Sequence, residues 1–395
     1  MNTSSKEQDM RVFDFDTVYD RRVSSSSKWV KYGERDILPF WVADMDFSTP
    51  EFILDAIRKR LEHPVIGYTE LPEELVGLFI DWAARRYGWR IHPDWLVPIT
   101  SLVPGLNAAV RCVGDDGDAS VVMTPIYPPF LKTASINHRK QIRSQLQLHD
   151  DRWVMDFDDI EAKTRIKSSR TVMLSNPQNP TGRIYTRDEL STFAEICLRT
   201  NTVIVSDEIH WGICLEPDLD HIPLATLGDE VDDNTITLIS HTKSYNIAGL
   251  QSAFAVIRNP DLRERFDDAK SGWMGSVSPL AYAAAIAAYG DDTTWLVELQ
   301  NYLRANRDLL TASVSKLPNL SMAPIEGTHL GWIDAREIPV RDHAAYFEAH
   351  GLGFSDGVEF GAPGFVRFNF ATPQSVLQRG ISRLETASAC APVAD

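Results

Sequence analysis

Short apolar runs alternate with helix-like stretches through the middle of the chain. The runs ASVVMT, TVMLS, TVIVSD, TITLIS and SAFAVI are rich in β-branched side chains. Helical periodicity separates most of them, as in residues 186–199 between TVMLS and TVIVSD. Nearly all-apolar strands that alternate with helices are typical of a mostly parallel sheet covered on both faces. The pattern therefore predicts an α/β fold with a three-layer α/β/α domain. SAFAVI follows TITLIS after a short loop, so one antiparallel strand is expected there.

The C-terminal hundred residues have a different pattern. A long helical stretch at about 291–315 is followed by strand-like LGWID and FVRFNF and by a terminal helix near 373–386. This order predicts a smaller α+β domain. We expect a large domain over residues 51–289 and a small domain built from residues 1–50 and 290–395. A chain of 395 residues is long enough for two domains.

Charge and composition exclude several classes of function. The formal net charge of −16 repels phosphate backbones and anionic lipid, so neither nucleic acid nor a membrane is an expected partner. The four cysteines lie at unrelated spacings, which predicts neither a disulfide framework nor a zinc site. The sequence contains no HExxH motif, so no metal site is expected. The polar N-terminus has no signal-peptide core, and no run of 18 apolar residues occurs. We expect a cytoplasmic protein.

Unusual polar residues follow three of the predicted strands. NPQNPTG follows TVMLS and presents Asn179, Asp207 ends TVIVSD, and Ser240 and Lys243 follow TITLIS. Because the carboxyl ends of parallel strands share one edge of a sheet, these side chains are expected to lie together. A lysine can form an imine, and a carboxylate can keep a pyridine nitrogen protonated. The set predicts a site for pyridoxal 5'-phosphate (PLP).

Two further segments suit the same cofactor. V-P-G-L at residues 103–106 opens a helix-like stretch, so amides near Val103 and Pro104 are expected to hold the phosphate. Tyr127 follows ASVVMT and offers an aromatic face to the ring. Each residue taken alone also has a structural interpretation: Lys243 as a solvated charge, or Asp207 as a helix cap. The conjunction at successive strand ends favours the functional interpretation.

Several longer strings carry a family resemblance. They are PFWVADMDFSTP, IGYTE, VPGL, TPIYPPF, NPQNPTGRIYT, VSDEIH, KSYNIAGL, IEGTHLGWID and FVRFNFATP, which span residues 39–373. In this order they resemble fold-type I PLP-dependent enzymes of the class I/II aminotransferase superfamily. More narrowly, they resemble the C–S β-lyases of the MalY/PatB and cystalysin group. The resemblance implies the aminotransferase fold type I for nearly the whole chain.

The resemblance also implies roles for single residues on the cofactor. Lys243 would carry PLP as a Schiff base and then move the Cα proton of the substrate. Asp207 would pair with the pyridine nitrogen, and Asn179 would donate to the ring oxygen. Tyr127 would stack on the ring, and His210 in VSDEIH would be a further cofactor-binding residue. Ser240 would hold the phosphate together with the amides of the helix N-terminus.

The substrate side is implied in the same way. Arg367 would grip the α-carboxylate of an amino-acid substrate, since a guanidinium suits bidentate pairing. Trp41 and Tyr68 would contact the substrate, and Tyr68 would reach the cofactor site of a partner subunit. A homodimer with shared active sites is therefore the expected assembly.

The reaction implied by this group is β-elimination. An S-conjugated cysteine or cystathionine-like thioether would yield a thiol, pyruvate and ammonia. Transamination, or decarboxylation coupled to oxidative deamination in a specialised biosynthetic pathway, is the alternative on the same scaffold. A regulatory binding protein is a second alternative. Trp211 with Gly212, the string GSVSP at 275–279 with Ser276, and His329 depart from the group's pattern and are candidates for lining the substrate side of the pocket.

Overall fold

The apolar runs form the centre of one seven-stranded sheet in a computed structural model of the protein, which describes residues 13–392. The strands in this part of the chain are β1 (Leu38–Pro39), β2 (Leu96–Ile99), β3 (Ala119–Thr124), β4 (Lys140–Gln145), β5 (Gln147–His149), β6 (Arg152–Val154), β7 (Ser169–Ser175), β8 (Val203–Asp207), β9 (Thr235–Ile239), β10 (Ala253–Val256), β11 (Ser321–Met322), β12 (Leu330–Asp334), β13 (Leu352–Gly353), β14 (Ser355–Asp356) and β15 (Phe365–Asn369).

The helices surround these strands. They are α1 (Ser27–Val30), α2 (Glu51–Leu61), α3 (Glu73–Tyr87), α4 (Leu102–Cys112), α5 (Pro128–Ile136), α6 (Phe157–Thr164), α7 (Arg187–Arg199), α8 (Asp229–Asp233), α9 (Pro260–Lys270), α10 (Pro279–Tyr289), α11 (Trp295–Val314), α12 (His343–Ala349) and α13 (Gln374–Ala389). Within residues 13–392, none of them is both long and apolar enough to cross a membrane.

The large sheet has the order β2-β10-β9-β8-β7-β3-β4. The pairs β9–β8, β8–β7, β7–β3 and β3–β4 are parallel, whereas β10 is antiparallel to both of its neighbours. The antiparallel strand expected at SAFAVI is thus confirmed. The predicted three-layer α/β/α architecture with a mostly parallel sheet is confirmed as well.

Alternate residues of the strands fill two separate apolar cores. Met173 and Val205 pack with residues of α4 and α9 on one face of the sheet. Val172, Leu174 and Ile204 pack with residues of α6 and α7 on the other. Because successive side chains of a strand point to opposite faces, a strand covered on both faces is apolar at most of its positions. This requirement explains the uninterrupted apolar runs.

A smaller sheet lies in the C-terminal part of the chain. It has the order β11-β12-β15-β14 and is antiparallel throughout. The N-terminal segment joins this part, since β1 pairs in parallel with β13, placing Leu38 opposite Leu352. Asn369, at the end of β15, binds the segment that follows β1. Its side-chain amide donates to the carbonyl groups of Val42 (2.6 Å) and Asp44 (2.7 Å). The boundaries of the two expected domains stay a prediction.

Candidate active site

A cavity of about 360 Å³ lies at the carboxyl edge of the large sheet. Its wall contains nine of the residues predicted from the sequence. These are Trp41, Val103, Tyr127, Asn179, Asp207, His210, Ser240, Lys243 and Arg367. Strand order explains the convergence, because β7, β8 and β9 are adjacent and Ser175 pairs with Asp207 at the strand ends. Arg367 comes from β15 of the small sheet, so the cavity lies between the two sheets.

Lys243 is partly buried and presents its amine to the cavity wall. The Nζ atom donates to the carbonyl oxygen of Ala43 at 2.6 Å, and within residues 13–392 it has no ion-pair partner. Burial lowers the pKa of the amine to about 8, against the opposing attraction of Asp44. Burial favours the uncharged form, and an uncharged amine is the form that can act as a nucleophile or base.

Asp207 supplies a buried carboxyl group to the same wall. Its Oδ1 atom accepts a hydrogen bond from the backbone N–H of Ile209 at 3.1 Å. Burial raises the pKa of this carboxyl to about 7, and the bond from Ile209 opposes the shift. A buried carboxyl without a cationic partner is costly in its charged form. The site is therefore suited to a ligand that brings a cationic N–H group to Asp207.

Groups from three parts of the chain fix the orientation of the Arg367 guanidinium. Its Nη1 donates to Oδ1 of Asn179 at 2.9 Å, and its Nη2 donates to the carbonyl of Trp41 at 2.7 Å. Ser355 accepts a longer bond of 3.3 Å from Nη2, and the guanidinium lies over the Phe360 ring, 4.8 Å from its centroid. Burial lowers the pKa of Arg367 to about 10. A guanidinium fixed in one orientation can receive a carboxylate bidentately.

The N-terminus of α4 provides amide donors to the cavity wall. The helix begins at Leu102, one residue before the predicted V-P-G-L string, and Leu102 and Val103 line the cavity. Pro104 does not line it and has no N–H to donate, so of the two residues near which phosphate-binding amides are expected, only Val103 lies on the wall. A helix N-terminus is a suitable site for a phosphate group.

Ser240 lies beside this helix terminus with its hydroxyl already in a network. Its Oγ donates to the carbonyl of Ser252 at 2.6 Å and accepts from the N–H of Thr242 at 3.1 Å. Thr242 Oγ1 is 2.8 Å from the same atom. A phosphate bound here would face three hydroxyl-bearing side chains, of Ser240, Thr242 and Ser252, all of which line the cavity.

Two buried histidines adjoin Lys243. His210 lines the cavity, and burial lowers its pKa to about 3, with Lys243 and Arg367 adding to the shift. The ring of His329 lies 5.7 Å from the ring of His210. Burial lowers the pKa of His329 well below its usual value, while the nearby Ala43 carbonyl opposes the shift. Neither ring nitrogen of His329, and not Nδ1 of His210, has a hydrogen-bond partner within the described chain. Burial thus favours the neutral form of both rings.

The three departures from the group's pattern do not line this cavity, so that expectation is wrong for the single chain. Trp211 is buried below the wall, and its Nε1 donates to the carbonyl of Ser240 at 2.7 Å, which positions the serine. Ser276 is exposed and lines a separate surface cavity near Thr69 and Tyr282. His329 lies behind His210 rather than on the wall.

Tyr68, like Pro104, is a predicted site residue that does not line this cavity. Its side chain is fully exposed, at 105% relative accessibility, in a segment whose residues 61–68 are all exposed. The single chain thus leaves Tyr68 without a role in its own cavity. Its predicted contribution to a partner subunit stays a prediction.

The structure adds wall residues that the sequence did not single out. Ala43 holds Lys243 through its carbonyl, and Ser355, Glu359 and Phe360 form the side of the wall next to Arg367. Ala43 lies within the PFWVADMDFSTP string, but it contacts Lys243 through its backbone carbonyl, and the side-chain type does not reveal such a contact. The other three lie in and after β14, where no motif indicates a site.

The residues present fit PLP on structural grounds. A partly buried amine, a buried carboxyl group with no ion-pair partner in the described part of the chain, and a helix N-terminus surround one cavity. These three features match the aldehyde, the pyridine nitrogen and the phosphate of the cofactor in turn. Tyr127, which precedes α5, is the aromatic residue of the wall nearest in sequence to the end of β3.

Known proteins resemble the chain over nearly its whole length. The model of the aminotransferase class I and II family matches residues 35–384. Cystathionine beta-lyase PatB of Bacillus subtilis (strain 168) is 33% identical over 384 residues, covering 94% of this chain and 99% of PatB. Protein MalY of Escherichia coli (strain K12) is 31% identical, covering 94% of this chain and 98% of MalY.

Solved structures agree with these relatives. The sequence of OvoB, whose crystal structure is known, is 44% identical to this chain. The two structures superpose with a TM-score of 0.93, over 96% of this chain and 100% of OvoB. Cystalysin from Treponema denticola, whose crystal structure contains pyridoxal 5'-phosphate, is 31% identical with a TM-score of 0.91 and covers 95% of this chain and 98% of cystalysin. The resemblance predicted from the motifs is confirmed.

Proposed function

Because the chain belongs to the aminotransferase class I and II family, we propose that it is a PLP-dependent C–S β-lyase. The substrate is an S-conjugated cysteine or a cystathionine-like thioether, and the products are a thiol, pyruvate and ammonia. The observation that carries the proposal is the single cavity wall that holds Lys243, Asp207 and Arg367 together. The relative cystathionine beta-lyase PatB supports the same reaction class by its name.

We propose the following residues as the cofactor site. Asp207 pairs with the pyridine nitrogen, Asn179 donates to the ring oxygen, and Tyr127 stacks on the ring. His210 completes the wall beside Lys243. Leu102, Val103 and Ser240, which line the cavity, would hold the phosphate, and Lys243 would carry the cofactor. When bound, PLP supplies an electron sink that makes the Cα proton of an amino acid acidic.

The chain's own residues then position and deprotonate the substrate. Arg367 binds the α-carboxylate while Asn179 and the Trp41 carbonyl keep its fork in plane. The Lys243 amine, with its pKa lowered to about 8 by burial, is a base near neutral pH and takes the proton from Cα. Loss of that proton allows the thiolate to leave Cβ. Hydrolysis of the remaining three-carbon fragment gives pyruvate and ammonia.

We also propose a homodimer, in which Tyr68 reaches the active site of the partner. The exposed segment that carries Tyr68 includes Val65 and Ile66, which are 63% and 58% exposed. Apolar side chains on an exposed loop support burial in an interface. The large domain at residues 51–289, the small domain at 1–50 and 290–395, and a cytoplasmic location belong to the same proposal.

The test uses PLP-loaded protein with cystathionine and S-alkyl cysteines, and measures thiol and pyruvate together. Equal amounts of both products are expected from the wild type and none from Lys243→Ala. Formation of a keto acid that retains the sulfur substituent, or release of carbon dioxide, would replace this proposal with transamination or decarboxylation. An aldehyde product would do the same.

A further inference from the structure

Glu359 occupies a fixed position at the mouth of the cavity. It lies in a short 3-10 turn, Gly357–Phe360, that follows β14, and it is exposed although it lines the cavity. The next residue, Phe360, is buried, and its carbonyl accepts a hydrogen bond from the N–H of Ile126 at 3.1 Å. Asp356 caps the turn by accepting from the N–H of Val358 at 3.0 Å. The backbone of Glu359 is thus tied at both ends.

The charges on the cavity wall are unevenly placed. Asp207 and Arg367 are buried and Lys243 is partly buried, whereas Glu359 is exposed at the entrance. Within residues 13–392, no lysine, arginine or histidine comes within 4.0 Å of the Glu359 carboxylate. Burial lowers the pKa of Arg367, and Tyr127 and then Glu359 oppose that shift, so the charges of Glu359 and Arg367 interact across the cavity.

A bound amino acid changes this balance. Its α-carboxylate on Arg367 cancels the guanidinium charge that partly offsets Glu359. If the α-carboxylate is on Arg367 and the amine is at Lys243, the substituent on sulfur is the part of the substrate left to extend toward the entrance, where Glu359 is exposed. That substituent therefore meets a carboxylate without a cationic partner from the described chain.

We propose that Glu359 forms a cation subsite, so that preferred substrates carry a protonated amine or another cationic group on the sulfur substituent. This inference rests on the proposed C–S lyase function. At a partly solvated distance of several ångströms, one charge pair changes relative binding by roughly threefold to tenfold. The effect weakens as ionic strength rises, because the entrance is exposed.

The test compares matched substrates on the PLP-loaded enzyme. S-(2-aminoethyl)-L-cysteine and S-propyl-L-cysteine have the same length and differ in charge. In Glu359→Gln, the ratio of their kcat/KM values should shift away from the cationic substrate by about threefold to tenfold. S-carboxymethyl-L-cysteine should gain in the same variant. Glu337→Gln removes the same charge from an exposed residue outside the cavity and should leave all three ratios unchanged.

Inert ligands separate this inference from the proposed reaction. L-lysine and L-2-aminoheptanoate match the two substrates in length but carry no leaving group at Cβ. Their dissociation constants, measured from the change in cofactor absorbance, should show the same Glu359-dependent preference for the cation. A preference in binding without turnover of any thioether would refute the lyase and keep the subsite. A ratio in Glu359→Gln within twofold of wild type, in both binding and turnover, would refute the subsite.

Discussion

Replacement of Arg367 by lysine tests how the substrate carboxylate is recognised. The arginine fork makes bonds of 2.9 Å to Asn179 and 2.7 Å to the Trp41 carbonyl, and its buried Nε has no partner within residues 13–392. A lysine ammonium has three donors at one point and cannot reach both protein acceptors and a bidentate carboxylate. Charge-assisted hydrogen bonds contribute about 1.5–3 kcal/mol each, so loss of one or two should cost about 3 kcal/mol.

The expected result for Arg367→Lys is a fall in kcat/KM of about a hundredfold, because 1.4 kcal/mol corresponds to a factor of ten. The ratio of variant to wild type should decrease further between pH 7 and 9, since burial lowers the pKa of a lysine and would discharge the new side chain. The assay is pyruvate release from an S-alkyl cysteine, with KM and kcat determined separately at each pH.

Arg336→Lys is the matched control. Arg336 is exposed, pairs with Asp334 and does not line the cavity, so this variant should keep kcat/KM within twofold. If Arg367→Lys also stayed within about threefold of wild type at every pH, the fork would not bind the substrate carboxylate. The assignment of Arg367 would then be withdrawn.

Three further variants test individual features of the site. In the cofactor-free protein, the pKa of Asp207 is about 7 when folded and 3.8 when unfolded, so the folded state holds the proton more tightly. As the pH rises from about 4 to about 7, the free energy of unfolding should therefore fall by on the order of 4 kcal/mol. Asp207→Asn should lose this fall in urea titrations, and an unchanged pH dependence would contradict the buried carboxyl. His329→Phe removes two buried ring nitrogens that have no hydrogen-bond partner within residues 13–392 and should raise the free energy of unfolding by about 1 kcal/mol; a loss of similar size would mean that the nitrogens bind a ligand or water. A methyl group at Gly212 would lie 2.8 Å from Cβ of Ser244, so Gly212→Ala should lower the melting temperature, at a cost of about 1–3 kcal/mol, and Ser244→Gly in the same chain should restore it.

The fold could be predicted where burial constrains every residue of a strand. β3, β7, β8 and β9 are covered on both faces, and their central residues are therefore mostly apolar. β4 is the edge strand of the same sheet, and its polar sequence KQIRSQ, with exposed ends, shows no apolar run. It was consequently absent from the predicted strands.

The site could be predicted for the same reason, up to a limit. Asn179, Asp207 and Lys243 follow neighbouring strands, and parallel topology alone brings them together. Glu359 reaches the cavity only through packing of the small sheet on the large one, which local sequence does not reveal. His329 shows a different limit, because a family position gives a location in the chain but not the direction of a side chain.

The hydrogen bonds from Asn369 to residues 42 and 44 connect the small sheet to Lys243 of the large domain, because the Ala43 carbonyl accepts from the Lys243 amine. Asn369 and Arg367 are two residues apart on β15, and the Ala43 carbonyl that restrains Lys243 lies between the two acceptors of Asn369. Any displacement of β15 away from the large sheet would therefore pull the carbonyl from the amine and the guanidinium from Asn179 in one movement. Release of a bound carboxylate and freedom of the lysine would then be a single event rather than two independent ones.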